Sequence, residues 1–322
     1  MPAEVVHLTA ADSGATADVL VGLGMNCFSW RTPFAGDTVT QAPHEILWAE
    51  PGFESGELRP SSSGIPLLAP FPGRIAGPSF EWNGKRYELE ANHGEGVAIH
   101  GFALRAPWRL LDRRIDKVTA EFTPTLDAPE TVWQWPSDYR VEATYSIAAS
   151  HLTLDVRIEN TGDESMPLGF ATHAYFRLPL SDGADPESTL VCAPVDGEWL
   201  MQDMIPTGEL KPVEPTDPLP SGAPLDGQRF DTPYRLVEGE GATELVDPST
   251  GRTLRQTYDE SMRCCVVYTP GHREAICLEP YTCLPNPFAM EAAGVATGLR
   301  VLQPGEAYST RLILEATCTP KV

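Results

Sequence analysis

The chain has 322 residues, of which 45 are acidic and 23 are basic, and its formal net charge at pH 7 is -22. This charge repels polyanions, so nucleic acid and an anionic membrane surface are disfavoured as partners, whereas a neutral small molecule fits. No stretch approaches the run of about 18 apolar residues that a membrane span needs, and the first residues lack a signal-peptide pattern, so we expect a cytoplasmic protein.

The length allows two domains, but all-β sandwiches and barrels often run to about 200–250 residues as one unit. We therefore predict a single domain over residues 1–322, in which residues 1–16 form a poorly ordered N-terminal extension. The seven cysteines are odd in number and include no C-x-x-C pair. They are expected to be reduced, packed thiols and not metal ligands.

The first clear element along the chain is a hairpin centred on Asn83-Gly84. Asn-Gly supplies the two positive φ angles of a type I′ turn, which joins strands with a two-residue loop. In that register Phe80 lies opposite Tyr87 and Glu81 lies opposite Arg86, which explains the residues on both faces of the hairpin.

A second, longer hairpin is predicted between residues 141 and 158. Apolar and polar residues alternate on both sides of a short break at residues 148–150. This alternation is typical of strands with one buried and one solvent-exposed face. The apolar positions are Val141, Ala143, Tyr145, Ile147, Leu152, Leu154, Val156 and Ile158.

The remaining chain also favours strands over helices. The 27 glycines and 31 prolines leave little room for long helices, and no segment keeps a helical period. The six prolines from Pro206 to Pro224 predict a long surface excursion instead of a strand pair. The sequence thus predicts an all-β fold, a large and mostly antiparallel β-sandwich. Further strands are predicted at Val118–Phe122, Arg263–Tyr268, Glu274–Leu278 and Thr310–Ala316.

Two titratable residues stand out by their strand-like context. His173 lies in the stretch GFATHAYF (169–176), and Glu279 lies in AICLEPYT (275–282). Imidazole and carboxylate are the groups used most often for proton transfer near neutral pH. A reaction made of two proton transfers needs no metal and no cofactor, and we expect none.

These stretches complete an ordered series that begins with GIPLLAPFPGRI (64–75) and NHGEGVAIHG (92–101). The series resembles the aldose 1-epimerase (galactose mutarotase) family. The resemblance implies an extended β-sandwich, the galactose mutarotase-like supersandwich, with a sugar site in a cleft across one sheet. It also implies an isomerase that interconverts the α and β anomers of an aldohexose, with a sugar as its partner and a monomeric or homodimeric state.

The resemblance assigns roles to five residues. Glu279 matches the glutamate of the family's Glu-Pro element and is the expected base, whereas His173 matches its His-x-Tyr-Phe element and is the expected acid. His100 is expected to form a hydrogen bond with the ring or anomeric oxygen. Arg74 is expected to donate hydrogen bonds from its planar guanidinium to sugar hydroxyls. Asp231 is expected to accept from sugar hydroxyls. A carboxylate of ordinary pKa is a weak base, so we also predict that partial desolvation raises the pKa of Glu279.

Asp226 competes with Asp231 for the last of these roles. The chain also departs from the family pattern, because Leu168-Gly169 replaces the usual Asn-Pro, Arg177 replaces an Asn, and Phe102 replaces a Gly. Arg177 and Phe102 would alter the walls of the cleft if they faced it.

Two other functions remain open. A hexose-6-phosphate 1-epimerase of the same superfamily would need extra cations, for which Arg59 and Arg31 are candidates. A non-catalytic sugar-binding protein would not need both His173 and Glu279. His93 is interpreted as structural or solvated.

Overall fold

Strands dominate the computed structural model, which describes residues 3–40, 42–94 and 96–319. The strands are β1 (Val5–Thr9), β2 (Thr16–Leu20), β3 (Asn26–Thr32), β4 (His44–Glu45), β5 (Leu67–Leu68), β6 (Arg74–Ala76), β7 (Ser79–Trp82), β8 (Lys85–Glu88), β9 (Val97–Ile99), β10 (Arg109–Arg113), β11 (Lys117–Phe122), β12 (Tyr139–Ala148), β13 (His151–Asn160), β14 (Met166–Leu168), β15 (Ala171–Thr172), β16 (Tyr175–Arg177), β17 (Leu190–Cys192), β18 (Val195–Gln202), β19 (Ile205–Pro212), β20 (Ala223–Pro224), β21 (Asp231–Leu236), β22 (Gly241–Val246), β23 (Arg252–Tyr258), β24 (Cys264–Tyr268), β25 (Ala275–Tyr281), β26 (Arg300–Leu302) and β27 (Ala307–Cys318).

Helices are few and short. The α-helices of the described residues are α1 (Pro124–Asp127), α2 (Pro218–Ser221) and α3 (Pro287–Ala292). Short 3-10 helices lie at Phe53–Ser55, Ala103–Arg105, Pro129–Gln134 and Pro186–Ser188. Within the described ranges, no helix has the length and apolar character needed to cross a membrane.

Two large sheets form the body of the β-sandwich, as predicted. One sheet has nine strands in the order β10-β11-β12-β13-β27-β23-β22-β17-β20. The other has the order β19-β18-β21-β24-β25-β15-β5, and β16 also pairs with β25. Smaller sheets flank them: β1–β4 form one of four strands, and β6–β9, β7–β8 and β14–β26 form pairs. All strand pairs between the labelled elements are antiparallel.

The hydrophobic core lies between the two large sheets. Val156 and Leu312 of the nine-stranded sheet belong to the same buried cluster as Ile276 and Leu278 of the eight-stranded sheet. A polar link crosses the same layer, because the Gln256 side-chain amide donates to the Leu278 carbonyl at 3.0 Å. One face of β25 is therefore fixed against the core, and its other face is left for a site.

Both predicted hairpins are confirmed. In the first, Asn83 and Gly84 have φ of 50° and 74°, and the register pairs Phe80 with Tyr87. Their two rings stack with centroids 5.4 Å apart. In the second hairpin β12 pairs with β13 over their whole length, and its predicted apolar face is buried.

The prediction for Pro206–Pro224 is wrong in part, because this segment begins with most of strand β19, which pairs with β18. β19 is the edge strand of its sheet, and an edge is where a proline costs no ladder hydrogen bond. Pro206 and Pro212 are therefore compatible with the strand. The prolines exclude a central strand, and the sequence pattern alone does not separate an edge strand from a loop.

The expectation of a poorly ordered extension over residues 1–16 also differs from the structure over residues 3–16, and residues 1 and 2 lie outside the described residues. Val5–Thr9 forms β1 and pairs with β2, and the side chains of Val6 and Leu8 are fully buried. The alternation of these two apolar residues is a short strand signal, and β1 was not predicted from it.

Candidate active site

All five residues singled out from the sequence line one open cavity of about 200 Å³. They are Arg74, His100, His173, Asp231 and Glu279. They come from distant parts of the chain, so the fold brings them together. Asp226, the competitor of Asp231, is not among the residues that line the cavity.

Glu279 reaches the cavity because side chains alternate along β25. Ile276 and Leu278 point into the core, whereas Glu279 and Tyr281 line the cavity. β25 lies in the interior of its sheet, between β24 and β15, so Glu279 is not an edge-strand charge.

The register of the sheet sets His173 opposite Glu279. β25 pairs Tyr281 with Ala171 and Cys277 with Tyr175, and the same antiparallel register continued between these pairs joins residues 279 and 173. Residues directly opposite on one sheet face have neighbouring side chains. The two groups are therefore cross-strand neighbours at the gap between β15 and β16.

Pro280 fits inside this sheet because of the same gap. The Tyr281 carbonyl accepts from the Arg263 N–H at 2.8 Å, on the side of β24. Backbone polar groups alternate sides along a strand, so the Pro280 nitrogen faces the other way, towards the interrupted ladder. A missing N–H breaks no hydrogen bond there.

The contacts of the pair are close and largely shielded from water. Nε2 of His173 lies 3.4 Å from Oε1 of Glu279, and the Tyr281 hydroxyl donates to Oε2 of Glu279 at 2.9 Å. Glu279 is 1% exposed and His173 is 7% exposed. The imidazole also stacks on the Tyr175 ring, with centroids 4.8 Å apart and planes inclined by 3°. These contacts fix the orientation of both groups.

Burial shifts both groups towards their uncharged forms. Desolvation raises the pKa of Glu279 well above its usual value, in the predicted direction, and Asp231 adds to this while the Tyr281 hydrogen bond and Arg74 oppose it. Desolvation lowers the pKa of His173 to about 3, with smaller contributions from Arg59 and Arg74. Burial therefore favours a protonated carboxyl group beside a neutral imidazole in the free pair.

His100 presents a hydrogen-bond donor to the cavity. The Gly73 N–H donates to Nδ1 of His100 at 3.2 Å, so in the neutral ring the proton is on Nε2. Burial, followed by His173 and nearby arginines, lowers the pKa of His100 well below its usual value and keeps the ring neutral. Gly101 beside it has φ of 66°, and a Cβ there would lie 2.2 Å from the Ala69 carbonyl oxygen.

Arg74 and Asp231 complete the polar lining. Arg74 lies on β6, and within the described ranges its side chain makes no ion pair. Asp231 begins β21 at the rim, where desolvation raises the pKa of its carboxyl and Arg74 opposes the shift. Both residues are available to hydroxyl groups of a ligand.

Several lining residues were not assigned to the site from the sequence. Tyr175 and Tyr281 lie two positions after His173 and Glu279, so strand alternation alone would have placed them on the same face. His93, interpreted as structural or solvated, also lines the cavity, beside Arg59. His93 belongs to the motif NHGEGVAIHG (92–101), which was the one signal for this placement.

Two of the departures from the family pattern, Phe102 and Arg177, lie outside this cavity. Phe102 packs into an aromatic cluster with Phe71 and Trp135 and does not line the cavity. Arg177 is exposed and lines a different cavity, together with Arg31.

One group of side chains in the described residues has a metal-type arrangement. His173, Cys277 and Glu279 offer a nitrogen, a sulfur and an oxygen atom that lie within 4.8 Å of one another. Such a ligand set suits a thiophilic divalent ion. In the acid–base arrangement described above, the same nitrogen and oxygen atoms exchange one proton instead.

Comparisons with known proteins agree with this picture. A family model described as aldose 1-epimerase matches residues 38–315. The uncharacterized protein YphB of Escherichia coli K12 is 25% identical over 273 residues, which is 82% of this chain and 87% of that protein.

Two solved structures share the fold. A galactose mutarotase-like protein from Clostridium acetobutylicum has a TM-score of 0.84 and 21% identity, with 99% of each chain covered. A putative aldose 1-epimerase from Escherichia coli K12 has a TM-score of 0.77 and 22% identity, with 98% of this chain and 100% of that chain covered.

Proposed function

The chain belongs to the aldose 1-epimerase family, and we propose that it is a mutarotase that interconverts the α and β anomers of an aldohexose without a cofactor. The contact that carries this proposal is the 3.4 Å approach of His173 Nε2 to Glu279 Oε1. It lies in a cavity lined by side chains that can form hydrogen bonds with sugar hydroxyls. An acid and a base held this close to one another, and to the donors and acceptors of a polyol site, suit a reaction of two proton transfers.

In the proposed reaction, the Glu279 carboxylate removes the proton of the anomeric hydroxyl while the His173 imidazolium protonates the ring oxygen. The bond between C1 and the ring oxygen breaks and leaves an open-chain aldehyde. After rotation about the C1–C2 bond, His173 takes the proton back from the hydroxyl on C5, whose oxygen attacks C1 from the other face. Glu279 then returns its proton to the anomeric oxygen, so protons and electrons balance.

The pair must hold one proton for this reaction. In the free protein burial favours that proton on Glu279, since it raises the pKa of the carboxyl and lowers the pKa of the imidazole. Transfer from Glu279 to His173 across their contact gives the reactive form without exchange with solvent. Arg74, Asp231 and the Nε2–H of His100 hold the sugar meanwhile.

The pH profile of kcat/KM is expected to be bell-shaped. Below the lower pKa of the pair, at about 3, both groups are protonated and no base remains. Above the upper pKa, which burial raises from the usual glutamate value, the pair loses its last proton and no acid remains. Activity therefore falls as pH rises through this upper pKa. A profile without a falling limb between the usual glutamate range and the alkaline unfolding of the protein would contradict the assignment.

Tyr281→Phe is expected to move the alkaline limb to higher pH. The Tyr281 hydroxyl donates to Glu279 and so favours the carboxylate. Without this hydrogen bond the pKa of Glu279 rises further, and the pair keeps its proton to higher pH. The measurement is the kcat/KM profile of the variant beside that of Tyr268→Phe, whose hydroxyl makes no described hydrogen bond to Glu279. An alkaline limb that stays in place or moves to lower pH would exclude this role.

The function itself is tested by the optical rotation of freshly dissolved α-D-glucose and α-D-galactose. With a mutarotase, the rotation reaches its equilibrium value faster than in buffer alone, in proportion to protein concentration. A protein that binds the sugars without changing this rate would be a sugar-binding protein and not an enzyme.

A further inference from the structure

We propose that His173, Cys277 and Glu279 form a binding site for one thiophilic divalent cation of the Zn²⁺ type, and that the bound ion inhibits the protein by displacing the proton that His173 and Glu279 exchange. The three side chains are the metal-type group of the described residues. Binding of the ion is independent of the proposed mutarotase function, and only the inhibition rests on it. Cys277 is then an exception to the expectation that the cysteines are not metal ligands.

Two of the three donor atoms already stand at the separation that a metal ion requires. Ligand atoms about 2.0–2.1 Å from a tetrahedral zinc ion lie roughly 3.3 Å apart. Nε2 of His173 lies 3.4 Å from Oε1 of Glu279. The sulfur of Cys277 belongs to the same group, in which one donor atom from each residue lies within 4.8 Å of the others. A zinc–sulfur bond of about 2.3 Å needs a sulfur–ligand separation of roughly 3.6 Å, so the sulfur has to move by about 1 Å.

The pairing of the strands explains why these donors meet. Cys277 and Glu279 are two positions apart on β25, so their side chains lie on the same face of the sheet. Tyr175 pairs with Cys277, and the same register sets His173 opposite Glu279. β25 lies in the interior of its sheet. Donors placed on strands keep their geometry more precisely than donors placed on loops.

The group of donors is open to the sugar cavity on one side. His173 and Glu279 line the cavity, whereas Cys277 lies behind them, fully buried in a cluster with Tyr175 and Tyr268. Three protein ligands leave the fourth tetrahedral position of the ion to a water molecule or a sugar hydroxyl. The ion therefore enters from the cavity and binds at its floor.

The imidazole of His173 is free to coordinate through Nε2. Within the described part of the chain, its buried Nδ1 has no hydrogen-bond partner. No hydrogen bond at Nδ1 therefore fixes the tautomer, and the ring proton can move to Nδ1 while Nε2 binds the ion. His100 differs, because its Nδ1 accepts from the Gly73 N–H and its proton is on Nε2.

Charge and ligand type select the ion. The thiolate and the carboxylate carry two negative charges, which match a divalent cation, and binding releases their protons to solvent. Asp231 adds negative charge near Cys277 and Glu279, since it raises the pKa of both, and Arg74 offsets part of this effect at Glu279. Sulfur and nitrogen ligands favour Zn²⁺ and Co²⁺, whereas Mg²⁺ and Ca²⁺ prefer oxygen ligands.

The bound ion and the catalytic proton exclude one another. Nε2 of His173 and Oε1 of Glu279 would coordinate the ion through the lone pairs that otherwise take up the shared proton. While the ion is bound, neither group removes or donates a proton, so anomer exchange stops.

Binding is tested with Co²⁺ on metal-free wild type, Cys277→Ser and Cys192→Ser. A cobalt–thiolate bond gives an ultraviolet charge-transfer band that nitrogen and oxygen ligands do not give. We expect the band at one Co²⁺ per chain in wild type and in Cys192→Ser, and its loss in Cys277→Ser. Cys192 is the matched control, because it is a free, partly buried cysteine on β17 of the other large sheet. Thermal unfolding checks the fold of each variant, and Cys277→Ala is used if the serine variant is unfolded.

Inhibition is tested by measuring anomer exchange at increasing concentrations of Zn²⁺ or Mg²⁺, each variant relative to its own metal-free rate. Zn²⁺ should inhibit wild type and Cys192→Ser, and Mg²⁺ should inhibit none of the proteins. Loss of a residue that only supports a metal ligand costs roughly 10- to 100-fold in affinity. Loss of Cys277 itself should therefore raise the Zn²⁺ concentration for half inhibition by at least about 10-fold.

The outcomes separate this inference from the proposed function. Equal Co²⁺ bands in wild type and Cys277→Ser, or no band in wild type, would refute the metal site whatever the activity. Equal inhibition of these two proteins by Zn²⁺ would refute inhibition through Cys277. If the band depends on Cys277 but no sugar is turned over without metal, the metal site stands and the proposed function fails.

Discussion

Glu279→Gln is expected to lower kcat for anomer interconversion by about 10²- to 10⁴-fold, the usual contribution of a positioned general base. The amide has nearly the same shape and still accepts the hydrogen bond of the Tyr281 hydroxyl. It cannot take the proton of the anomeric hydroxyl. Substrate affinity should change little, since the contacts from Arg74 and His100 remain.

The fold of this variant should be preserved, because burial already favours the uncharged form of Glu279 in the free protein. Thermal unfolding beside wild type checks this point. Glu274→Gln is the matched control: Glu274 directly precedes β25, is exposed and accepts from the Trp48 indole at 3.0 Å. That control should keep the wild-type kcat. A Glu279→Gln protein with wild-type kcat would rule out the base assignment.

His173→Gln is expected to cause a loss of similar size, about 10²- to 10⁴-fold in kcat, because the ring oxygen then lacks its proton donor. Glutamine places an amide near the position of Nε2, so the contact with Glu279 is kept without an ionisable group. His151→Gln is the control, since His151 is partly exposed on β13 and pairs with Glu315 instead.

The double variant, with both Glu279 and His173 replaced by glutamine, separates a joint role from two independent ones. Residues that act as a unit give strongly non-additive losses. The double variant should therefore be little slower than the more damaged single variant. Losses that multiply would show that the two residues act independently and would contradict the shared-proton mechanism.

Local sequence patterns predicted the strands whose two faces differ. Two such patterns determine how adjacent strands pair: the alternation over residues 141–158 and the Asn83-Gly84 turn. A shift of the pairing by one residue would move apolar side chains to the solvent-exposed face. β1 was missed because its strand signal is only two apolar residues long, whereas β19 was missed for a different reason. Whether a proline-containing segment becomes an edge strand depends on which strand lies beside it, and that is a property of the assembled sheet.

The same distinction holds for the candidate site. Motif resemblance was enough to name five residues that the fold brings into one cavity, and alternation along β25 would have added Tyr281. Arg59 and His93 meet across two separate loops. Their convergence depends on tertiary structure, so from the sequence Arg59 was only one of two candidate cations and was not separated from Arg31.

The most direct measurement is NMR magnetisation transfer between the α and β anomer signals at equilibrium, for glucose, galactose, glucuronate and glucose 6-phosphate. Each sugar is measured with wild-type protein, with Glu279→Gln and with buffer alone, so that spontaneous exchange is subtracted. We expect wild type to exchange at least one of these sugars faster than buffer and Glu279→Gln to fall towards the buffer rate. Equal exchange in all three samples for every sugar would contradict a mutarotase built on His173 and Glu279.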